Sequence, residues 1–150
     1  MSTPIEILLV EDNPNDLELT LHALKRHNLA NKIQIARDGE EALDFLFCRG
    51  PHADRSFGEP PRVVLLDLKL PKVDGLQVLR EVKADARTRP IPVVVMTSSK
   101  EQRDMVEGYQ LGVNSYIQKP INFSDFQDII RQLGYYWLVI NQPPPGDAFK

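Results

Sequence analysis

Short apolar runs alternate with longer amphipathic stretches along the chain. Runs of four to six residues such as "IEILLV" are typical of buried strands. The stretches between them repeat apolar residues at helical spacing, as Leu17, Leu21 and Leu24 do. The pattern predicts five strands, over residues 5–10, 32–36, 62–66, 92–97 and 115–119, and five helices, over residues 13–27, 39–48, 75–84, 100–112 and 123–140.

This strict alternation predicts an α/β fold, a doubly wound five-stranded parallel sheet with helices on both faces. Two segments fall outside the pattern. Residues 49–61 form a long loop rich in proline and glycine, and such loops in compact domains are usually functional or disordered. Residues 142–150 are rich in proline and predict a flexible tail. We therefore expect one domain over residues 1–141, followed by that tail.

The composition argues against several classes of protein. The net charge is −3 and no basic run occurs, whereas nucleic-acid binding requires a basic face for phosphate contacts. No apolar run approaches the ~18 residues of a membrane helix, and the N-terminal residues lack the basic region of a signal peptide. The single cysteine, Cys48, cannot form an internal disulfide. We expect a cytoplasmic protein that binds neither membrane nor nucleic acid.

Polar side chains follow four of the predicted strands. Glu11 and Asp12 follow the first strand, Asp67 the third, Thr97 ends the fourth and Lys119 ends the fifth. Because ligands bind beyond the carboxyl ends of parallel strands, these groups should converge at one edge of the sheet. Three carboxylates so close would repel one another unless a cation lies between them. Ligands that are all oxygen favour Mg²⁺, with Mn²⁺ as an alternative.

The same set of side chains suits phosphoryl transfer. Lys119 can pair with Asp67 and hold an anion beside the metal, and Thr97 can donate a hydrogen bond to that anion. Such a site supplies the positioning and the charge neutralisation that phosphoryl transfer requires. The Asp67 carboxylate can then act as the nucleophile and form an acyl phosphate.

Four motifs identify a resemblance. "LLVEDNPND", "VVLLDLKLPKVDG", "VVVMTSS" and "SYIQKPIN" occur in the order found in response-regulator receiver domains of two-component signalling, and the resemblance covers residues 5 to 133. It implies a flavodoxin-like fold with strand order 2-1-3-4-5. It also implies that Asp67 is the phosphoacceptor, that Asp12 binds Mg²⁺ directly, that Glu11 reaches it through water, and that the backbone carbonyl of Lys69 is a further ligand.

The resemblance implies roles for five more positions. Thr97 is the switch hydroxyl, Lys119 pairs with the phosphate, and Tyr116 is the aromatic residue that changes rotamer on activation. Pro120 follows a cis peptide bond, which costs only about 0.5–1 kcal/mol before proline. Side chains at Lys69 and Ser99 tune the lifetime of the phosphate.

A narrower resemblance concerns the 49–61 loop and the end of the last helix, "YYWLVINQPPP". Both are similar to single-domain, phytochrome-associated response regulators of bacteria. The implied partner is a sensor histidine kinase, specifically a bacteriophytochrome. Because the chain ends soon after the last helix, we expect its output to be a protein contact, a phosphorelay step or dimerisation rather than catalysis.

Two alternatives remain open. A phosphohydrolase can also form an aspartyl phosphate, but such enzymes have a second acid two residues after the nucleophile, where this chain has Lys69, a poor acid at neutral pH. The other alternative is a receiver-like binding module that is never phosphorylated. The complete set of site residues argues against that module.

The last helix predicts a homodimer through that helix and the adjoining face of the fourth helix and fifth strand. One stripe of the helix should face the core, and the apolar residues left on other faces either cover the sheet edge or the 49–61 loop, or contact a partner. Tyr109 and Tyr116 would extend that surface. The core-facing residues are Phe126, Ile129, Ile130, Leu133, Trp137 and Ile140, and the others are Tyr135, Tyr136, Leu138 and Val139.

Overall fold

The computed structural model describes residues 5–27, 32–98, 101–120 and 122–149. Its strands pair side by side in parallel, in the order β2-β1-β3-β4-β5. The predicted fold class and strand order are therefore confirmed. The strands are β1 (Ile7–Val10), β2 (Ile33–Ala36), β3 (Val63–Leu66), β4 (Val93–Thr97) and β5 (Ser115–Gln118).

The helices begin at the edge of the sheet where the strands end. Four of them start after an Asn or Asp whose side-chain oxygen accepts a backbone N–H of the first turn: Asn13, Asp38, Asp74 and Asn122. Such caps satisfy donors that a helix otherwise leaves unpaired. The helices are α1 (Pro14–Arg26), α2 (Gly39–Leu46), α3 (Gly75–Ala84), α4 (Gln102–Leu111) and α5 (Phe123–Tyr135).

The central strands β1, β3 and β4 are buried throughout, which explains their apolar runs. On one face, Ile7 and Leu9 of β1 belong to a core that includes residues of α1 and α5. On the other face, Leu8 and Val10 belong to a core formed with α2 and α3. Neither face of β1 can therefore carry a polar residue until the strand ends at Glu11.

The loop over residues 49–61 is packed against α2. It contains a 3-10 turn, Gly50–His52. The Arg55 guanidinium lies 3.6 Å from the centroid of the Phe45 ring, and it donates hydrogen bonds to the backbone carbonyls of Phe45 and Glu59. Through these contacts, Arg55 connects the loop to the end of α2.

The end of the last helix differs from the prediction. After Tyr135 the chain continues as a π-helix, Tyr136–Ile140, and the Asn141 N–H donates to the Tyr136 carbonyl. We expected Ile140 to face the core and Leu138 to lie outside it, and both expectations are wrong: Leu138 is 7% exposed and Ile140 is 52% exposed. The wider π turn adds a residue between inward positions, so Leu138 becomes the buried one.

The proline-rich tail also differs from the expectation of flexibility. Gly146–Phe149 form a 3-10 turn, and Phe149 is 4% exposed within the core cluster on the α2 and α3 side of the sheet. Burial of one aromatic ring contributes roughly 1.5–3 kcal/mol toward holding this segment against the domain.

Because Gly39 is closely packed, one added methyl group at this position should lower the stability of the fold. A Cβ at Gly39 would lie 1.8 Å from the backbone carbonyl oxygen of Val73, and backbone cannot give way as a side chain can. We expect Gly39→Ala to lower the free energy of unfolding by roughly 1–3 kcal/mol or more, measured by urea denaturation. Gly146→Ala is the control, because nothing lies within 4 Å of its added Cβ. Equal stability of Gly39→Ala and the wild type would refute the packing described here.

Candidate functional site

The ends of β1, β3, β4 and β5 bring the predicted site residues together. Backbone hydrogen bonds continue past the strands: the Asp67 N–H donates to the Val10 carbonyl at 3.1 Å, and the Lys119 N–H to the Thr97 carbonyl at 2.7 Å. Neighbouring strand ends are thereby held in register. The sheet, rather than any local motif, fixes the distances between Glu11, Asp67 and Lys119.

Lys119 is the centre of the site. Its Nζ lies 2.5 Å from Oε2 of Glu11, 2.9 Å from Oδ2 of Asp16 and 3.0 Å from Oδ2 of Asp67. Its side chain is almost fully buried. An ammonium has three N–H donors, and here each has a carboxylate acceptor.

Asp67 receives hydrogen bonds at both of its carboxylate oxygens. Thr97 Oγ1 donates to Oδ1 at 3.0 Å, and the backbone N–H of Lys69 lies 3.3 Å from the same oxygen. Lys119 donates to Oδ2. Asp67 and Thr97 are both buried. The carboxylate is therefore held in one orientation by three different elements of the fold.

Burial affects the pKa values of two charged groups, Glu11 at the end of β1 and Lys119 at the end of β5. It raises the pKa of Glu11 to about 7, with the neighbouring Asp67 carboxylate acting in the same direction and the hydrogen bond from Lys119 opposing both. Burial alone would lower the pKa of Lys119, but its hydrogen bonds to Glu11 and Asp16 outweigh this, so that its pKa lies above the ordinary value. Lys119 therefore remains an ammonium at neutral pH.

The carboxylates also form a group suited to a divalent cation. Glu11, Asp12 and Asp67 each offer an oxygen, and these oxygens lie within 4.8 Å of one another. Asp12 is exposed while the other two are buried. With Asp16, four carboxylates lie in this region, three of them on Lys119, which supplies a single positive charge. This excess of negative charge and the all-oxygen donor set fit Mg²⁺ or Mn²⁺.

The remaining predicted residues lie around this centre. The Tyr116 ring packs against Gly108 of α4, and its centroid is 6.5 Å from that of Tyr109. Lys69 extends its ammonium toward Asp104 of α4, with Nζ 3.9 Å from Oδ2. Ser99 lies outside the described residues.

The expectation of a cis bond before Pro120 is wrong. Every peptide bond among the described residues is trans, including that between Lys119 and Pro120. The trans isomer is the favoured one even before proline. It is compatible here with the backbone hydrogen bond from Lys119 to Thr97.

Two residues near the site were not predicted. Asp16 is within the motif "LLVEDNPND", four residues after Asp12, and the one-turn spacing from the strand end could have identified it. No sequence signal marks Asp104, because its position near Lys69 results from the packing of α4 against the sheet.

Comparison with known proteins identifies the family of this chain. The family model of the response regulator receiver domain matches residues 7–131. The chain belongs to this family. Response regulator Rcp1 of Synechocystis sp. is 38% identical over 135 residues, which cover 90% of this chain and 90% of Rcp1. The predicted membership of the receiver-domain family is therefore confirmed.

Solved structures of receivers agree with this assignment. The Mn²⁺-bound form of Rcp1 has a TM-score of 0.87 with 37% identity, covering 94% of this chain and 99% of that one. The phosphorylated cyanobacterial phytochrome response regulator RcpA has a TM-score of 0.87 with 38% identity, covering 95% and 99%. The bacteriophytochrome response regulator AtBRR is 53% identical with a TM-score of 0.72, covering 94% and 100%. The narrower resemblance to phytochrome-associated regulators is thus confirmed as a similarity.

Among the described residues of this receiver, no helix has both the length and the apolar character needed to span a membrane.

The acid cluster predicts a divalent-cation site whose affinity depends on Asp12. We expect Asp12→Asn to weaken Mg²⁺ or Mn²⁺ binding by roughly tenfold or more, because it removes a charged ligand. Calorimetric titration with each metal measures the change. Asp54→Asn removes an exposed carboxylate from the 49–61 loop and should leave the affinity unchanged. Equal affinities in Asp12→Asn and the wild type would exclude Asp12 as a ligand.

Proposed function

We propose that this receiver accepts a phosphoryl group from a sensor histidine kinase on Asp67 and signals through protein contacts. The observation that carries the proposal is the environment of Asp67: Lys119 bonds one carboxylate oxygen and Thr97 the other, with two further acids beside them. An Asp67 oxygen attacks the phosphorus of a phosphohistidine, the phosphorus–nitrogen bond breaks, and the histidine nitrogen keeps the electron pair and takes a proton from water. The phosphorylated state of RcpA supports this reaction.

A divalent cation bound by Glu11, Asp12, Asp67 and the Lys69 carbonyl would neutralise the charge of the incoming phosphoryl group. We propose Mg²⁺ as this ion. Oxygen ligands suit it, and the Mn²⁺-bound form of Rcp1 supports the presence of a metal site in a similar protein.

Lys119 and Thr97 then change partners. Lys119 has three carboxylate partners before the reaction, so it can retain some of them while pairing with a phosphoryl oxygen. Thr97 already donates to Asp67 and can donate to the new phosphoryl group instead. Inward movement of Thr97 would leave space for the Tyr116 ring and alter the surface of α4 and β5, a local change of charge with a distant effect.

The kinase that we propose as partner is a bacteriophytochrome. The similarity to AtBRR and RcpA, both described as phytochrome response regulators, supports this choice. We place the exchange in the cytoplasm, where the kinase obtains ATP. The receiver promotes its own phosphorylation and dephosphorylation without being an enzyme for an external substrate.

The phosphohydrolase alternative lacks a proton donor at the required position. Lys69 stands where such an enzyme has its second acid, and its ammonium is within 3.9 Å of the Asp104 carboxylate. A lysine is a poor general acid at neutral pH, so it does not replace the carboxylic acid that such an enzyme uses.

We also propose a homodimer. The C-terminal patch, defined as Tyr135, Tyr136, Val139 and Ile140, is about half exposed at each residue. Met105, Val106 and Tyr109 of α4 are exposed to a similar degree. Exposed apolar and aromatic side chains of this kind are typical of protein contacts, and a symmetric pair is the commonest arrangement.

Phosphorylation should depend on the Asp67 carboxylate. With Mg²⁺ and acetyl phosphate, we expect the wild type to gain one phosphate that is stable in acid and labile in base. Asp67→Asn keeps the shape of the side chain but loses the nucleophile, so it should gain none. Intact-mass spectrometry distinguishes the two. Phosphorylation of Asp67→Asn to the wild-type level would disprove the assignment.

The C-terminal patch predicts the oligomeric state. We expect the wild type to sediment as a dimer at high micromolar concentration, and the double variant Val139→Glu, Ile140→Glu to sediment as a monomer, because buried unpaired charges oppose association. His22→Glu on α1 adds a charge at an exposed position elsewhere and should remain dimeric. Circular dichroism confirms folding of each variant. A wild type that stays monomeric, with or without phosphate, would contradict this proposal.

A further inference from the structure

One ion pair links the loop after β3 to the start of α4. Lys69 Nζ lies 3.9 Å from Asp104 Oδ2, and the two side chains differ greatly in exposure: that of Lys69 is 63% exposed and that of Asp104 is 10% exposed. The carboxylate is thus fixed by the packing of α4, while the lysine stem is free to move. In such a pair, the position of the buried carboxylate determines where the ammonium of the exposed side chain lies.

The pair lies beside the phosphoacceptor. The Lys69 backbone N–H is 3.3 Å from Asp67 Oδ1, so the lysine side chain starts next to the carboxylate that we propose to be phosphorylated. Lys69 and Asp104 also line a cleft of about 490 Å³ together with Asp12, the exposed member of the acid cluster. This open cleft adjoins Asp67 through its sequence neighbour Leu68, and we infer that water reaches the phosphoryl group from this side.

We propose that Asp104 is a positioning residue that holds the Lys69 ammonium on α4 and thereby sets the lifetime of the phosphoryl group on Asp67. The inference rests on the proposed function. In the unmodified protein Asp104 is the nearer anion for Lys69. A phosphoryl group on Asp67 adds about two negative charges, so it competes with Asp104 for the same ammonium.

The competition affects hydrolysis. Water attacks phosphorus, the bond between phosphorus and the Asp67 oxygen breaks, the carboxylate is restored, and dihydrogen phosphate leaves with both protons of the water. An ammonium paired with the phosphoryl oxygens occupies the open side of the group and obstructs that water. By drawing Lys69 toward α4, Asp104 keeps the path open and shortens the lifetime.

Asp104 also lies in the first turn of α4, where a carboxylate favours the helix dipole. That purely structural role would act on stability and would not depend on Lys69. The dependence on Lys69 therefore separates the two roles.

The test measures the half-life of the phosphoryl group. Each protein is phosphorylated with acetyl phosphate and Mg²⁺, the donor is removed, and samples quenched in acid are followed by intact-mass spectrometry. We expect Asp104→Asn to lengthen the half-life by about threefold, the scale of a partly exposed charge pair, and Lys69→Met to shorten it. In the double variant, Asp104→Asn should have no further effect beyond Lys69→Met.

Two further variants complete the design. Asp104→Glu keeps the charge and should restore a half-life near that of the wild type. Asp38→Asn is the matched control: it removes the partner of Lys72, whose Nζ is 3.6 Å from Asp38 Oδ2 and which lies in the same loop with similar exposure. An amide can still cap α2, and the half-life should not change.

The outcomes separate the two proposals. If the wild type gains no phosphate, or if Asp67→Asn gains as much, the proposed function itself fails. If the wild type is phosphorylated on Asp67 but Asp104→Asn has the wild-type half-life or a shorter one, the role of Asp104 is overturned. An effect of Asp104→Asn that persists undiminished in Lys69→Met overturns it equally, because Asp104 would not act through Lys69.

Discussion

The buried ammonium of Lys119 is the interaction on which the site depends. Three carboxylates meet at one Nζ, one each from the end of β1, the first turn of α1 and the end of β3. Removing one partner of a buried ion pair typically costs about 3–5 kcal/mol, since the other charge is then left uncompensated. Burying so many charges at the edge of the sheet is costly in free energy. The same charges make this edge suited to bind a cation and a phosphoryl group.

The parallel sheet is what makes this convergence possible. The central strands β1 and β3 are buried and wholly apolar, so their first polar residues, Glu11 and Asp67, occur side by side where the strands end. The helices begin at the same edge, and their Asn and Asp caps pair the free backbone donors there. α4 then adds Asp104 to the surroundings of Lys69, which links this edge of the sheet to the start of α4.

The far end of the last helix follows a different constraint. The Arg62 guanidinium donates to the Leu138 carbonyl at 2.6 Å, which satisfies a backbone acceptor in the π turn. The turn buries Leu138 and leaves Val139 and Ile140 outside. Local backbone geometry, rather than residue type, therefore decides which apolar side chains of this receiver remain available for association.

The sequence by itself determined the helices and strands, their order along the chain, and the identity of the acids, threonine and lysine at the strand ends. It could do so because the spacing of apolar residues is a local property of the chain. Tertiary structure alone decided the contacts that depend on distant packing: Asp104 as a neighbour of Lys69, and the packed position of Phe149. It also decided the register of the last helix, because a π turn changes which residues face inward without changing the apolar pattern.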